Sequence, residues 1–308
     1  MLSKIKLRFE QEKPDKTFRR IDDNHKLDIY LGYSEDNCAT MVITAKGKIR
    51  HVESSKAIDI KLFKKNNKEY SLSFALLNKE SEIIFYRFCE DIIESSRYIE
   101  SNDEVSFILS RWNKWKLMFK KASNRLLNEN EIQGLIGELV FIRDYLAPEI
   151  GYNEAIRSWM GPNKSHKDFE FEDIWYEVKS IKQGATTVKI SSIEQLESNL
   201  EGYLEVITFK KSNASVRNAI SLNIIIDNIK SKINNFNTCL LFKDKLLEIG
   251  YLYDDDYNEV YYKLIKKVRY SVEEEFPRIR NRDLRNGIVK VSYDILLKDI
   301  ERFIEGDE

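Results

Sequence analysis

The sequence predicts a protein of α+β / mixed α/β class, antiparallel and β-rich at its start and mixed afterwards. Three features predict it. Between 26 and 77, apolar and polar residues alternate in four short runs, the period of half-buried strands. At 132–146 the period becomes helical, with Ile132, Leu135, Leu139, Ile142 and Leu146 on one stripe. At 168–179 alternation returns, now with acids set between aromatics. These patterns divide the 308 residues into an N-terminal module of strands and helices, 1–120, and a second domain, 121–308.

Residues 1–25 are charged, contain Pro14, and read as a loose lead-in. Leu27, Ile29 and Leu31 begin the alternation. Met41-Val-Ile-Thr44 is apolar and β-branched, and Ile58, Ile60, Leu62 and then Tyr70, Leu72, Phe74 continue the pattern. Ala45-Lys-Gly47 and Asn66-Asn67 are turn signals. An antiparallel meander with one buried face accounts for the set. From Ser81, a candidate N-cap, Ile83, Ile84, Phe88, Ile92 and Ile93 fit a helix. A second helix over 103–121 spaces Trp112, Trp115 and Phe119 by three and four, which reads as core rather than as a base-stacking platform.

In the second domain, Asn128 or Asn130 starts the helix that carries the 132–146 stripe, and Pro148 ends it. A turn is expected at Gly161-Pro162-Asn163. After the strands of 168–179, residues 186–190 read as a third core strand, and Ser191 or Ser192 caps a short helix. Residues 203–209 read as a strand, 221–233 as a helix burying Ile224, Ile225 and Ile229, and 239–250 as a helix closed by its glycine. A strand at 287–293 and a terminal helix at 296–303 complete the expectation.

Composition excludes several classes. With 42% hydrophobic residues the chain can build a core, and with 33% charged residues it has no apolar run of the ~18 residues a spanning helix needs. No membrane partner is expected. The start, Met-Leu-Ser-Lys-Ile-Lys-Leu-Arg, has no apolar signal region, so a cytoplasmic location is expected. Cys38, Cys89 and Cys239 are too few and scattered for a disulfide framework or a zinc site, and read as ordinary thiols. His25, His51 and His166 are equally scattered, which leaves little material for a histidine metal site or a Ser-His-Asp triad. Fifty basic against 51 acidic residues give a net charge of −1. That balance neither supports nor excludes nucleic-acid binding, because a local basic surface decides it.

The chemistry concentrates between Gly134 and Lys179. In Trp175-Tyr-Glu-Val-Lys179, Glu177 and Lys179 share a strand face with Trp175, while Tyr176 and Val178 share the other. If Glu172-Asp173 is a two-residue turn, 171 faces 174, 170 faces 175, 169 faces 176, and Asp168 faces Glu177. Directly opposed side chains have Cβ atoms ~5 Å apart, and two carboxylates that close repel unless a cation lies between them. Lys179 supplies one positive charge and a divalent ion more; hard oxygen ligands suit Mg²⁺ or Mn²⁺. Glu-Asp is not a favoured hairpin pair, and a longer connection would slip the pairing while leaving both acids at neighbouring strand ends. Glu138 lies at the edge of the helical stripe with Gly134 one turn below it. Two glycines in one helix, at ~1 kcal/mol each, imply close packing or open room near Glu138. Plainer readings stand beside these: a surface glutamate at a helix contact, and a charged strand face neutralised by lysines.

Asp168, Glu177-Val178-Lys179 resembles the core signature of the PD-(D/E)XK nucleases, with Lys167 where that signature has proline. Gly134-Leu-Ile-Gly-Glu-Leu139, Ser158-Trp-Met-Gly-Pro162, Ser192-Ile-Glu-Gln-Leu196 and Phe276-Pro-Arg-Ile279 are similar to a bacterial group of PD-(D/E)XK motif proteins associated with restriction or defence gene clusters. The resemblance covers about 110–304. It implies a restriction-endonuclease-like core, αβββαβ, with a mixed sheet flanked by helices. It also implies that Asp168, Glu177, the Val178 carbonyl and Glu138 serve Mg²⁺ (or Mn²⁺), that Lys179 orients the attacking water and offsets phosphorane charge, and that Gln195 is an accessory polar residue. The implied activity is Mg-dependent DNA endonuclease cleavage, with DNA and other defence proteins as partners; double-strand cutting would call for two active sites, which a homodimer would supply by symmetry. A catalytically silent nuclease fold that binds DNA or a partner is the alternative.

One loop is a candidate DNA contact on its own composition. Residues 277–285 hold Arg278, Arg280, Arg282 and Arg285, whose guanidinium forks suit phosphate oxygens. The competing reading is a solvated loop paired with Glu273, Glu274 and Glu275.

Overall fold

The computed structural model describes residues 4–12, 17–48, 51–99, 103–120, 126–161 and 167–307. Pro14, Lys121 and the Pro162-Asn163 part of the expected turn lie outside them. The chain divides into two units, Met1–Arg125 and Leu126–Glu308.

The first unit opens on helix α1, Lys4–Glu12, and strand β1, Arg19–Arg20, where the sequence had predicted a loose lead-in. Two apolar residues one turn apart explain the helix. Ile5 and Phe9 are buried, and Phe9 stacks on Tyr86 at 5.3 Å and meets Tyr33 edge-on at 5.9 Å. Strands β2 (Asp28–Tyr33), β3 (Ala39–Lys46), β4 (Ile58–Lys64) and β5 (Glu69–Leu76) follow the predicted alternation. Their order is β1-β2-β3-β5-β4, not a simple meander. β5 takes the inner position because Leu72 and Phe74 are fully buried, while β4, with exposed Lys61, Phe63 and Lys64, suits an edge. Helices α2 (Glu82–Ser96) and α3 (Glu104–Lys120) bury Phe88, Trp112, Trp115 and Phe119 as core. Ile83 instead points outward, 57% exposed, since it neighbours Ile84 and cannot share its face. Ser81 precedes α2 without a side-chain cap; Asn78 caps the short turn before it.

The second unit begins with α4, Glu129–Phe141, held by a reciprocal capping box between Asn128 and Glu131. The predicted stripe is buried along its length. Pro148 does not end the helical run. A π-helical turn, Ile142–Leu146, leads into α5, Ala147–Ser158, and Pro148 falls in the first turn of α5, where its missing N–H costs nothing. The run bends at Gly151, whose φ of 79° only glycine adopts readily.

Strands β6 (Phe169–Phe171), β7 (Ile174–Lys182), β9 (Glu201–Ser212), β10 (Tyr261–Ser271) and β12 (Ile304–Asp307) form a mixed sheet in the order β12-β10-β9-β7-β6. β7 and β9 are parallel; the other pairs are antiparallel. The predicted third core strand, β8 (Thr187–Ile190), leaves this sheet and pairs with β11 (Tyr293–Leu296). Its Val188 and Ile190 join Trp175, Leu204 and Ile295 in a core on one sheet face. The long apolar β9 takes the central place instead. Residues 287–292 form no strand, and 297–303 form two short 3₁₀ turns rather than a helix. Helices α6 (Leu222–Lys232) and α7 (Phe236–Ile249) are as expected, except that Ile224 is 47% exposed while Ile225 and Ile229 are buried. The mixed α+β architecture is consistent with the restriction-endonuclease-like expectation. No helix among the described residues is long and apolar enough to cross a membrane.

Candidate active site

The hairpin that carries the acids pairs as the two-residue turn requires: Phe171 with Ile174, Glu170 with Trp175, Phe169 with Tyr176. Glu172 makes the turn with φ at 52°, a left-handed conformation that costs a non-glycine residue roughly 1 kcal/mol. The next pair in this register is Asp168 with Glu177. β6 stops short, and among the described residues no strand continues on that side of β7 beyond Tyr176. Asp168 fills the gap, its Oδ2 accepting from Val178 N–H at 2.8 Å.

Helix α4 lies against the other face of the hairpin, through Phe141 on Phe169 (5.0 Å) and Tyr176 (5.2 Å). Its two glycines serve different ends. A Cβ on Gly137 would stand 1.9 Å from Ser180 Oγ of β7, so Gly137 lets helix and strand touch. A Cβ on Gly134 would meet nothing within 4 Å, because Gly134 borders open space below Glu138. That space is a cavity of about 590 Å³ lined by Glu138, Asp168, Glu177, Lys179 and Gln195, with Lys182 and Lys189 at its wall. Acids from both sides of an open strand edge thus reach one cavity.

Each acid is held. Trp159 Nε1 donates to Glu138 Oε2 at 2.6 Å. Met160 and Gly161 N–H groups donate to the Asp168 carbonyl at 2.7 and 3.1 Å. A Cβ on Gly161 would lie 3.0 Å from Glu138 Oε2 and 3.4 Å from Asp168 Oδ1, so the missing side chain leaves both carboxylates their place. Lys179 Nζ sits 2.7 Å from Glu177 Oε1. Glu177 is only 1% exposed. Burial, and then the Asp168 charge, push its carboxyl up to about 8. Burial and Asp168 also raise Glu138 well above the usual carboxylate range, against the Trp159 hydrogen bond. Asp168 is raised by burial, with Lys179 and the Val178 N–H opposing. The cavity therefore holds more negative charge than its surroundings compensate.

Among the described residues, no three His, Cys, Asp or Glu side chains already stand together as a metal cluster. The donor set still fits a hard divalent cation. Among the described residues Glu177 Oε2 is buried without a hydrogen-bond partner while Oε1 pairs with Lys179, and Asp168 and Glu138 line the same cavity. Gln195 lines the cavity from a 3₁₀ turn, with its Oε1 accepting from Ser191 N–H at 2.7 Å.

Several positions escaped the sequence. Lys167, in the slot where the family signature has proline, is buried. Its Nζ donates to the carbonyls of Glu194 (2.7 Å), Gln195 (2.9 Å) and Glu197 (3.1 Å) and stands 3.7 Å over the Trp175 ring. It fastens the Gln195 turn beside Asp168, and burial pushes its ammonium down to about 8. Lys245 of α7 donates to the Trp159 and Arg157 carbonyls, closing the C-terminus of α5 just before the residues that hold Glu138 and Asp168. The only signal for Trp159 and Gly161 was the 158–162 motif; for the two lysines there was none, because their partners are backbone carbonyls distant in sequence.

The arginine loop is not part of the cavity lining. Arg280 and Arg282 both bind Glu274, whose carboxyl they hold down to about 2, and Arg278 donates to the Leu196 carbonyl at 2.7 Å. Arg285 is exposed. Two of the four arginines are thus paired with an acid of the 273–275 run.

One family model matches nearly the whole chain, residues 5–298: DUF4420, described as "Putative PD-(D/E)XK family member". No curated protein and no solved structure matches the chain.

Proposed function

The chain belongs to the PD-(D/E)XK family DUF4420, and we propose that it is a divalent-metal-dependent DNA endonuclease of a bacterial restriction or defence system, working in the cytoplasm. Membership alone points to a nuclease. The observation that carries the finer proposal is the meeting of Glu138, Asp168, Glu177 and Lys179 in one cavity, with Glu177 Oε2 buried and without a hydrogen-bond partner among the described residues.

Asp168 and Glu177 would hold Mg²⁺ or Mn²⁺, with the Val178 carbonyl and Glu138 completing the protein's share. A bound divalent ion supplies Lewis-acid activation of the phosphate and lowers the pKa of water. The chain's own groups do the rest. Asp168 is fixed by the Val178 N–H and Glu138 by Trp159, so neither needs to reorganise when the substrate arrives. Lys179, 2.7 Å from Glu177, would orient a water and offset charge that develops on the phosphorane oxygens. Gln195, kept in place by Lys167, lines the far wall as a polar contact. Cutting both strands calls for two such sites, which a homodimer would supply.

The test is incubation of the full chain with plasmid and linear DNA in Mg²⁺, Mn²⁺ or EDTA. Metal-dependent cleavage is expected, reduced at least ~100-fold by Asp168→Ala or Lys179→Ala, the usual scale for losing one electrostatic stabiliser. Cleavage that survives Lys179→Ala would sink the role given to that residue. A chain that binds DNA and cuts it under no condition would be the silent binding subunit instead.

A further inference from the structure

We propose that the outer face of the N-terminal sheet is a docking surface for the backbone of duplex DNA, a reading that takes its ligand from the nuclease proposal above. The sheet has two unlike faces. Leu72 and Phe74 of β5 lie on the face covered by α2 and α3, where Phe74 meets Phe88 at 5.2 Å and Trp112 at 5.9 Å. The register sets other residues on the opposite face. One row runs Lys61, Ser73, Val42, Tyr30, Arg20, and the next Phe63, Ser71, Thr44, Asp28. Ser71, Ser73, Val42 and Thr44 are half-buried, while Lys61 and Phe63 at the β4 edge are exposed. Lys65, next on the same side, reaches Thr44 Oγ1 at 3.4 Å.

Charge says what would cover this face. Residues 1–125 carry 25 Lys and Arg against 19 Asp and Glu, whereas 126–308 carry 25 against 32. The near-neutral chain is thus a basic unit joined to an acidic one. The net charge of the unit that holds the candidate site opposes a polyanion at long range even though Lys179, Lys182 and Lys189 line its cavity, and the basic unit adds attraction. Within the basic unit, lysines gather at the β4–β5 turn: Lys64, Lys65 and Lys68 are exposed, and Gly47 N–H on the Lys68 carbonyl brings exposed Lys46 and Lys48 beside them. Two acids of this side are offset by cations, Asp59 by Lys61 at 3.6 Å and Asp28 by Arg20 at 2.8 Å, while Glu69 is held by the neutral Asn66 amide at 2.6 Å and is not offset by it, so the excess of positive charge lies in Lys46, Lys48, Lys64, Lys65 and Lys68.

The side chains favour backbone over bases. Ammonium and hydroxyl donors suit phosphate oxygens, and Ser73, Ser71 and Thr44 lie in the two rows next to the β4 edge. Base stacking along a single strand needs successive exposed aromatics, and here exposed Phe63 on β4 and Phe18 beside β1 stand at opposite edges of the sheet with small residues between, and Tyr30 is half-buried.

The experiment uses the full chain in EDTA, so that binding is read without cleavage. A labelled duplex and a single strand of equal length are titrated by fluorescence anisotropy between 50 and 200 mM salt, roughly the range over which phosphate contacts are lost. Wild type is compared with Lys61→Gln/Lys65→Gln/Lys68→Gln and with a control of equal charge change on the acidic unit, Lys230→Gln/Lys232→Gln/Lys298→Gln. The sheet variant is expected to bind duplex at least about tenfold more weakly, with the log–log salt slope smaller by about 2 to 3, while the control changes less than about twofold. Equal losses in both variants, an unchanged slope, no duplex binding by wild type, or preference for the single strand would each overturn the proposal. A melting temperature equal to wild type shows that the sheet variant is folded. Adding Mg²⁺ separates the two readings. A chain that cuts DNA with the sheet variant's affinity intact loses only the docking surface. One that binds through the sheet and never cuts loses only the nuclease.

Discussion

Glu177 shares the electrostatic strain of the candidate site with Glu138 and Asp168. Its carboxyl is raised from 4.5 to about 8 in the metal-free fold, so between those values the folded chain keeps a proton that the unfolded chain has released. Stability of the metal-free protein therefore falls as pH rises through that window, by on the order of a few kcal/mol. Glu177→Gln cannot ionise and escapes this cost. Thermal melts in EDTA should show wild type losing several degrees between pH 5 and pH 8, Glu177→Gln losing less, and the variant melting above wild type at pH 8. Saturating Mg²⁺ should raise the wild-type melting temperature at pH 8 and leave the variant unmoved. A wild-type profile flat in pH, or a variant that responds to Mg²⁺ like wild type, would contradict the role given to Glu177. Glu177→Gln is also expected to abolish cleavage, which makes it a stabilising change bought with function.

At the level of elements, the contact of α4 with β7 decides where Glu138 stands. Gly137 lies so near Ser180 that a methyl group would be 1.9 Å from Oγ and 3.3 Å from Cβ. Gly137→Ala should destabilise by about 1–3 kcal/mol, the cost of forcing an overpacked contact apart. Among the described residues buried Ser180 Oγ has no hydrogen-bond partner, so Ser180→Ala removes the nearer obstacle at little cost of its own. The double variant should recover a large part of the loss, a coupling that chemical denaturation of the four proteins measures. Gly134→Ala, which meets nothing, should gain up to ~1 kcal/mol of helix propensity. Two glycines three residues apart are alike as letters. Only the neighbouring strand shows that one is for contact and the other for space.

Across the whole molecule, charge is divided by unit, and so is chemistry. Every residue placed in the cavity lies within Leu126–Glu308, as do the helices and sheet that hold it. A chain of residues 126–308 is expected to melt cooperatively and to keep the Mg²⁺-dependent rise in melting temperature. It should bind duplex DNA at least about tenfold more weakly than the full chain at 100 mM salt, since it lacks the basic unit. Calorimetry with and without Mg²⁺, together with anisotropy, checks both statements. A piece with no cooperative transition would show that 126–308 is not an independent folding unit.

How much was legible follows from the range of the forces involved. The alternation at 168–179 determined by itself which of Glu177, Val178 and Lys179 share a face, because strand period is a local property, and the two-residue turn gave the register that the hairpin adopts. The 132–146 stripe likewise determined the buried face of the helical run. Local pattern could not tell that β8 leaves the sheet or that β5 inserts beside β3, since short apolar strands pair wherever burial is greatest. Nor could it show Pro148 opening a helix, which depends on a π-helical turn before it. The tertiary structure alone decided which charges are committed: Arg280 and Arg282 to Glu274, Lys167 and Lys245 to distant carbonyls, Trp159 to Glu138. Periodicity is written in neighbouring residues, whereas a desolvated charge takes whatever partner the packed chain brings within about 3 Å.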